Sequence, residues 1–445
     1  MGVTATLTQQ LARYICDERL DRIDPEAVAR TRQIIAYHIG LACRAVAAAH
    51  TEADNAVAIA RELSDDRGSA TVIGHGHRVS LVDAVFANCS LMRAQGLDDV
   101  IFPAGIHAGL VTLPVALGIG ERTRASGADL VTAVVTGYEV MGKFGQFTWA
   151  MDPPRRPTQP FGPFGSIATA AKLLGLDRGQ TVVALAYAAH TAMGLAEHDL
   201  GPVSHWYSLI CRNAVTCAYA AREGAWGSPT VIEGRYGFAD AFLGCADIDA
   251  DAIAASLGHG YAVMESCEKR YPGTALNQVP IELMRSLAID EGLRAGDVGR
   301  IRIAFPEERR RFAAGHELGP FANPAVAASS FAFQCAMLLL DGTQDPARYR
   351  DFANPEIQSV IDRMSVEFVP GKPIRHTRIE VETRSGNRLV REGDDFRFEP
   401  DRTRTVLERD AAGVLPDEQI ERLIGLLDDL ENVADIRELP HCLSP

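Results

Sequence analysis

Apolar positions recur at helical spacing through most of the first 260 residues. The spacing predicts helices over 4–16 and 25–49, the second opened by Asp24 as N-cap with Pro25 at the first helical position. Helical periodicity continues over 51–64 and over 79–94, where Ser80 is the expected cap. Alanine-rich helical segments then follow at 107–125, 127–144, 163–175, 178–195, 208–224 and 249–257. Their frequent Ala and Gly residues allow close approach, so these helices are expected to pack on one another. One short apolar piece, Ala70 to Ile73, interrupts them and ends in the turn Gly74-His75-Gly76-His77.

The period changes after about residue 265. Segments 301–305, 365–369 and 378–383 alternate apolar and polar residues, which is the strand signal. Residues 384–387 read as a hairpin turn leading into 388–390. Helices are expected at 277–291, 325–340 and 355–363, and again at 403–413 and 416–430. The organisation predicted is a helical domain over 1–265, an α+β domain over 266–395, and C-terminal helices over 396–445 that rejoin the first. The fold class is mainly α with an α+β part.

With 445 residues, 47% hydrophobic and 23% charged, the chain has material for a sizeable core. A formal net charge of -14 gives no positive field for phosphates, which argues against nucleic acid as a partner. An anionic substrate would need a local cluster of cations. The nine cysteines are scattered without C-x-x-C pairs or zinc-like spacing, as expected for reduced thiols in a cytoplasmic protein. Arg13, Asp17, Glu18 and Arg19 interrupt any signal-type apolar run, and no stretch approaches the ~20 apolar residues that span a bilayer. No membrane association is expected.

Several ordered segments carry a resemblance. They are Gly96-Leu-Asp-Asp-Val100 followed by His107, Gly127-Ala-Asp-Leu-Val131 with Gly137-Tyr-Glu-Val140, and Thr158 to Gly165 leading into Ala170-Ala-Lys-Leu-Leu-Gly-Leu176. Further on come Arg212-Asn-Ala214, Ile232-Glu-Gly234 with Gly237-Phe238, Lys269-Arg-Tyr-Pro272 and Met337 to Gly342. In this order they resemble the MmgE/PrpD family over roughly residues 10–430. The resemblance implies a large helical domain built from both chain ends, a smaller α+β lid, a homodimer and a site in the cleft between domains. It also implies no metal or organic cofactor, and a small carboxylate as substrate for a lyase of dehydratase or decarboxylase type.

Removing a proton beside a carboxylate creates an enolate-like dianion, so such a site needs a base, an acid and cations. By resemblance, His107 is the acid/base, Lys269 the cation that holds the enolate, and Asp98 and Asp99 the paired acids. Thr158 matches a family Thr. Other positions depart from the pattern: Gly96 and Val100 replace an Asp and a Thr, and Arg156 a His. Tyr207 and Ile210 replace a Lys and a His, and Phe333 a Tyr. Tyr207 is nevertheless kept as a catalytic candidate, with His205 two residues away. Thr158, Arg155, Arg156, Arg212, Arg270 and Tyr271 are candidates for binding the acid, arginine being suited to bidentate carboxylate contact.

Epimerisation of the iminodisuccinate type is the alternative, since it needs acid/base groups but no leaving-group acid. Tyr207, Phe333 and Val100 lower the polarity expected of the pocket, which leaves open an unrelated biosynthetic substrate or a non-catalytic homologue. His75 and His77, at i and i+2, lack a further ligand for a metal. Gly162 and Gly165 do not form a nucleotide fingerprint. His190 reads as a core histidine, and no Ser or Cys has a recognisable His partner.

Overall fold

Helices form where the 3.6-residue spacing places them, and their ends are set by local chemistry. The computed structural model describes residues 5–64, 68–102, 104–150, 158–194, 205–244, 248–311, 316–395 and 402–445. The described residues form two compact units, one from 5–194, 205–268 and 402–445, the other from 269–395.

The first unit contains α1 Leu7–Asp17, α2 Pro25–Ala47, α3 Thr51–Leu63, α4 Leu81–Arg93 and α5 Ala108–Thr123. It continues with α6 Gly127–Phe144, α7 Thr158–Leu174, α8 Arg178–Thr191, α9 Trp206–Arg222 and α10 Ala250–Ser256. The C-terminal helices α15 Thr403–Asp410, α16 Asp417–Asp428 and α17 Glu438–Cys442 also belong to it. Ser80 accepts from the Asp83 amide as expected. Asp24 holds the N-cap position of α2 but makes no side-chain cap bond, leaving Pro25 as the starting signal.

Helix α7 begins five residues before the expected start at 163. Pro160 falls among the first four positions, whose N–H groups have no helical partner, and only Pro163 forfeits a bond. The helix packs against α5, α6, α8 and α9. Phe144, Phe161, Phe164 and Phe238 meet around its first turns with ring centroids 4.9–5.7 Å apart. His190 is not in the core: it is exposed in the last turn of α8. Two short strand pairs complete this unit, β1 Ala70–Thr71 with β2 Arg78–Val79 and β3 Val100–Ile101 with β4 Ser266–Cys267. Rings of His75 and His77 stand 5.5 Å apart in the turn after β1.

The second unit is built on a four-stranded sheet of order β6-β5-β7-β8, from β5 Val298–Pro306, β6 Met364–Val369, β7 Thr377–Thr383 and β8 Arg388–Gly393. Strands β5 and β6 are parallel, and the other pairs antiparallel. Register opposes Ile301 to Val381 and Ile303 to Ile379, all four buried in the unit's core. One residue out of phase, Arg302 faces Glu380 on the other side of the sheet at 2.7 Å. Helices α11 Gln278–Arg285, α12 Pro324–Ser329, α13 Phe331–Asp341 and α14 Pro355–Ile361 accompany the sheet. The single helix expected over 325–340 is two, because Ser330 caps α13 through the Phe333 amide. The chain is therefore mainly α with an α+β part, as its patterning predicts. Among the described residues no helix is long and apolar enough to cross a membrane.

Candidate active site

Helix α4 ends at Arg93, and Gly96 turns the chain inward with φ of +66°, its amide bonded to the Arg93 carbonyl at 2.9 Å. Glycine adopts this φ without steric cost. The turn delivers Asp98 and Asp99 into the interior, both fully buried. Val100, next along, is held in β3 opposite Cys267.

The two acids have different work. Asp99 Oδ1 accepts from the Gly109 amide at 3.1 Å, so it caps the start of α5, where His107 occupies the N-cap position without a side-chain cap bond. Its Oδ2 accepts from Tyr138 Oη at 2.9 Å and from Ser266 Oγ. His38 Nε2 lies 3.2 Å from Asp99 Oδ1, while His38 Nδ1 lies 3.0 Å from the Ile34 carbonyl. Both ring nitrogens thus lie near acceptor oxygens, an arrangement that favours the protonated ring and the ionised carboxylate. Burial opposes the charge on each. The pairing prevails, with the His38 pKa raised and the Asp99 pKa lowered. Gly109 is required here, because a Cβ would come within 2.3 Å of His38 Cε1.

Asp98 faces the other way. Its Oδ1 accepts from Arg93 at 2.9 Å, and its Oδ2 is 2.6 Å from His107 Nδ1. The same Nδ1 is 2.8 Å from the Asp99 carbonyl oxygen. The hydrogen bond to the Asp99 carbonyl assigns the proton to Nδ1, with the Asp98 carboxylate alongside it. Nε2 has no hydrogen-bond partner among the described residues and is the nitrogen left to give or take a proton. The His107 amide donates to Thr158 Oγ1 at 3.0 Å, so the buried first residue of α7 fixes the backbone beneath the ring. Tyr207, in the first turn of α9, has its ring centroid 6.5 Å from that of His107 and 5.7 Å from Arg93 Cζ.

Of the residues expected from sequence, the structure brings together Asp98, Asp99, His107, Thr158 and Tyr207. Arg212 is not with them: it pairs with Asp83 at 3.4 Å, ten residues before Arg93 on α4. Ile210 is a buried core residue of α9. Arg155 and Arg156 lie outside the described residues. In the second unit, Lys269 is buried and its Nζ donates to the Gly273 carbonyl at 3.1 Å. Tyr271 directs its hydroxyl to Glu282, which also pairs with Arg270 at 3.2 Å. Phe333 packs in that unit's core against Phe321 and Tyr349. A cavity of about 440 Å³, lined in part by Arg294, Glu356, Ser359 and Arg363, lies in the second unit and includes none of the expected residues.

Arg93, His38, Tyr138 and Ser266 escaped sequence reasoning. Arg93 stands five residues before Asp98 and was open to notice. His38 and Ser266 gave no local signal, being 61 and 167 residues from Asp99.

The chain belongs to the MmgE/PrpD family: residues 9–251 match the MmgE/PrpD N-terminal domain. It is 25% identical to a cis-aconitate decarboxylase-like protein of Aspergillus oryzae, over 97% of this chain and 96% of the relative. It is 23% identical to the cis-aconitate decarboxylase of Homo sapiens, over 97% of this chain and 93% of the relative.

Proposed function

We propose that this protein is a lyase acting at a carbon next to a carboxylate of a small di- or tricarboxylic acid. His107 Nε2 is the proton-transferring atom, Asp98 stabilises the imidazolium formed, and Arg93 holds Asp98 in place. The observation that carries this reading is the hydrogen bond from His107 Nδ1 to the Asp99 carbonyl beside the Asp98 carboxylate, which fixes one tautomer and leaves Nε2 as the other nitrogen. Lys269 is assigned to a substrate carboxylate and Tyr207 to the wall beside His107. A homodimer is part of the proposal, tested by sedimentation velocity; a single species at the 48.0 kDa chain mass would remove it.

The test incubates the purified protein with cis-aconitate, citrate, 2-methylcitrate and iminodisuccinate, and follows loss of water or CO2 by NMR. Conversion of at least one acid to its elimination or decarboxylation product is expected. Binding without conversion of any would overturn the reading.

Two variants sharpen it. Asp98→Asn leaves the shape but removes the anion that stabilises the imidazolium, so kcat should fall by about 10²–10³. An unchanged kcat would remove Asp98 from the machinery. Lys269→Met should lower kcat/KM by about 10² or more, as expected for losing a charge that meets the developing enolate. Wild-type kcat/KM in that variant would return Lys269 to a structural role.

A further inference from the structure

The cavity of the second unit is lined by two arginines whose charge no acid takes up. They are Arg294, shortly before β5, and Arg363, immediately before β6, with Ser359 of α14 between them in the lining. Elsewhere in this unit arginines pair with carboxylates, as Arg270 and Arg285 do with Glu282, and Arg302 and Arg388 with Glu380. In a chain with 58 acidic and 44 basic residues that is the ordinary outcome. Arg294 and Arg363 have no carboxylate within ion-pair distance among the described residues. Asp297 accepts from the Arg294 backbone amide at 3.1 Å and not from its guanidinium.

Both guanidiniums are anchored through the same nitrogen. Arg294 Nη1 donates to the Ala288 carbonyl and to the Leu293 carbonyl. Arg363 Nη1 donates to the Ala295 carbonyl at 2.7 Å and to the Val298 carbonyl at 3.2 Å. What remains on each is the edge formed by Nε and Nη2, a fork that can grip a carboxylate with two parallel bonds. The Arg294 edge has no hydrogen-bond partner among the described residues. The Arg363 edge has one long contact there, Nη2 to Ser359 Oγ at 3.4 Å. Anchored forks lose less conformational freedom when an anion arrives.

The rest of the lining sets the character of the ligand. Leu339 and Val360, both in the core of the unit, supply apolar surface. A volume of about 440 Å³ exceeds the needs of a bare ion and suits a small organic molecule. Glu356 offsets one of the two arginines, so the lining carries a single net positive charge. We propose that this cavity is an accessory site for a small organic monocarboxylate. Its carboxylate is gripped by Arg294 and Arg363, and its hydrocarbon part lies over Leu339 and Val360. The proposal is independent of the lyase reading, none of whose residues line the cavity.

The test titrates the full chain with pentanoate, acetate and inorganic phosphate by isothermal titration calorimetry. Gly296 offers the discriminating variant: it lines the cavity, and a Cβ there meets no atom within 4 Å. Gly296→Glu therefore adds an anion beside the arginines without crowding. Arg363→Gln removes one fork; since Arg363 also holds two carbonyls, its thermal midpoint is read alongside, and Gly296→Glu decides should it not fold. Pentanoate should bind wild type with a Kd of about 1 mM, within reach of its few heavy atoms, and more tightly than acetate or phosphate. Each variant should weaken that binding by about tenfold or more, the loss of a charge-assisted contact. A titration without saturation overturns the proposal, as does acetate or phosphate bound as tightly as pentanoate. Unchanged affinity in Gly296→Glu overturns it too, by placing pentanoate at another site.

Discussion

His107→Gln is expected to lower kcat by about 10²–10⁴, the contribution of a positioned general acid or base. The reason lies in how the ring is held. The Asp99 carbonyl and the Asp98 carboxylate lie on the Nδ1 side, so in the proposed reaction the proton passes through Nε2. Glutamine keeps a polar end but cannot take up a proton near neutrality. The defect should therefore appear in kcat rather than in KM, because His107 is not assigned to ground-state binding. Steady-state kinetics on the acid that the wild-type protein converts checks this. A His107→Gln enzyme with wild-type kcat and a raised KM would make His107 a binding residue.

The second large effect falls on stability. His38→Ala should cost about 3–5 kcal/mol, because it leaves the Asp99 carboxylate buried without its cation. The pH dependence has a defined sign. The His38 pKa is raised on folding, so its contribution is complete below the unfolded value of ~6.5 and is lost as pH rises through the folded value. The Asp99 pKa is lowered, so its contribution is present above the unfolded value of ~3.9 and is lost as pH falls through the folded value. Wild-type stability from this pair is thus greatest between those limits. Urea unfolding across pH should show the alkaline decline vanish in His38→Ala. A cost under about 1 kcal/mol, the range of an exposed pair, with an unaltered pH profile would show that the pair does not behave as a buried one.

Much of this architecture is written in local patterning. Helical spacing locates the helices of both units, and period-two alternation locates β5, β6 and β7, whose apolar residues face the core while Arg302 and Glu380 face away. Boundaries go astray where one side chain or a proline decides them: Ser330 divides one expected helix in two, and α7 starts early through its prolines.

The site is less legible because its partners are distant in sequence. Asp98 and His107 lie close along the chain and were visible together. Asp99 and Ser266, 167 residues apart, become a pair only when β3 meets β4. The division of labour between Asp98 and Asp99 is likewise tertiary: adjacent residues point in opposite directions, one to His107 and Arg93, the other to His38, Tyr138 and Ser266. Arg212 shows the converse. It stood out by its place in a recognisable segment, yet its partner is Asp83, and Arg93 is the arginine beside the candidate histidine.

The central claim is that His107 Nε2 moves a proton at a carbon adjacent to a carboxylate. NMR of the substrate acid incubated in 2H2O with wild-type protein and with His107→Gln tests it most directly. The account predicts stereospecific deuterium incorporation at that carbon, in recovered substrate or in product, by wild type and its loss in the variant. Incorporation by both proteins at the same rate would contradict it.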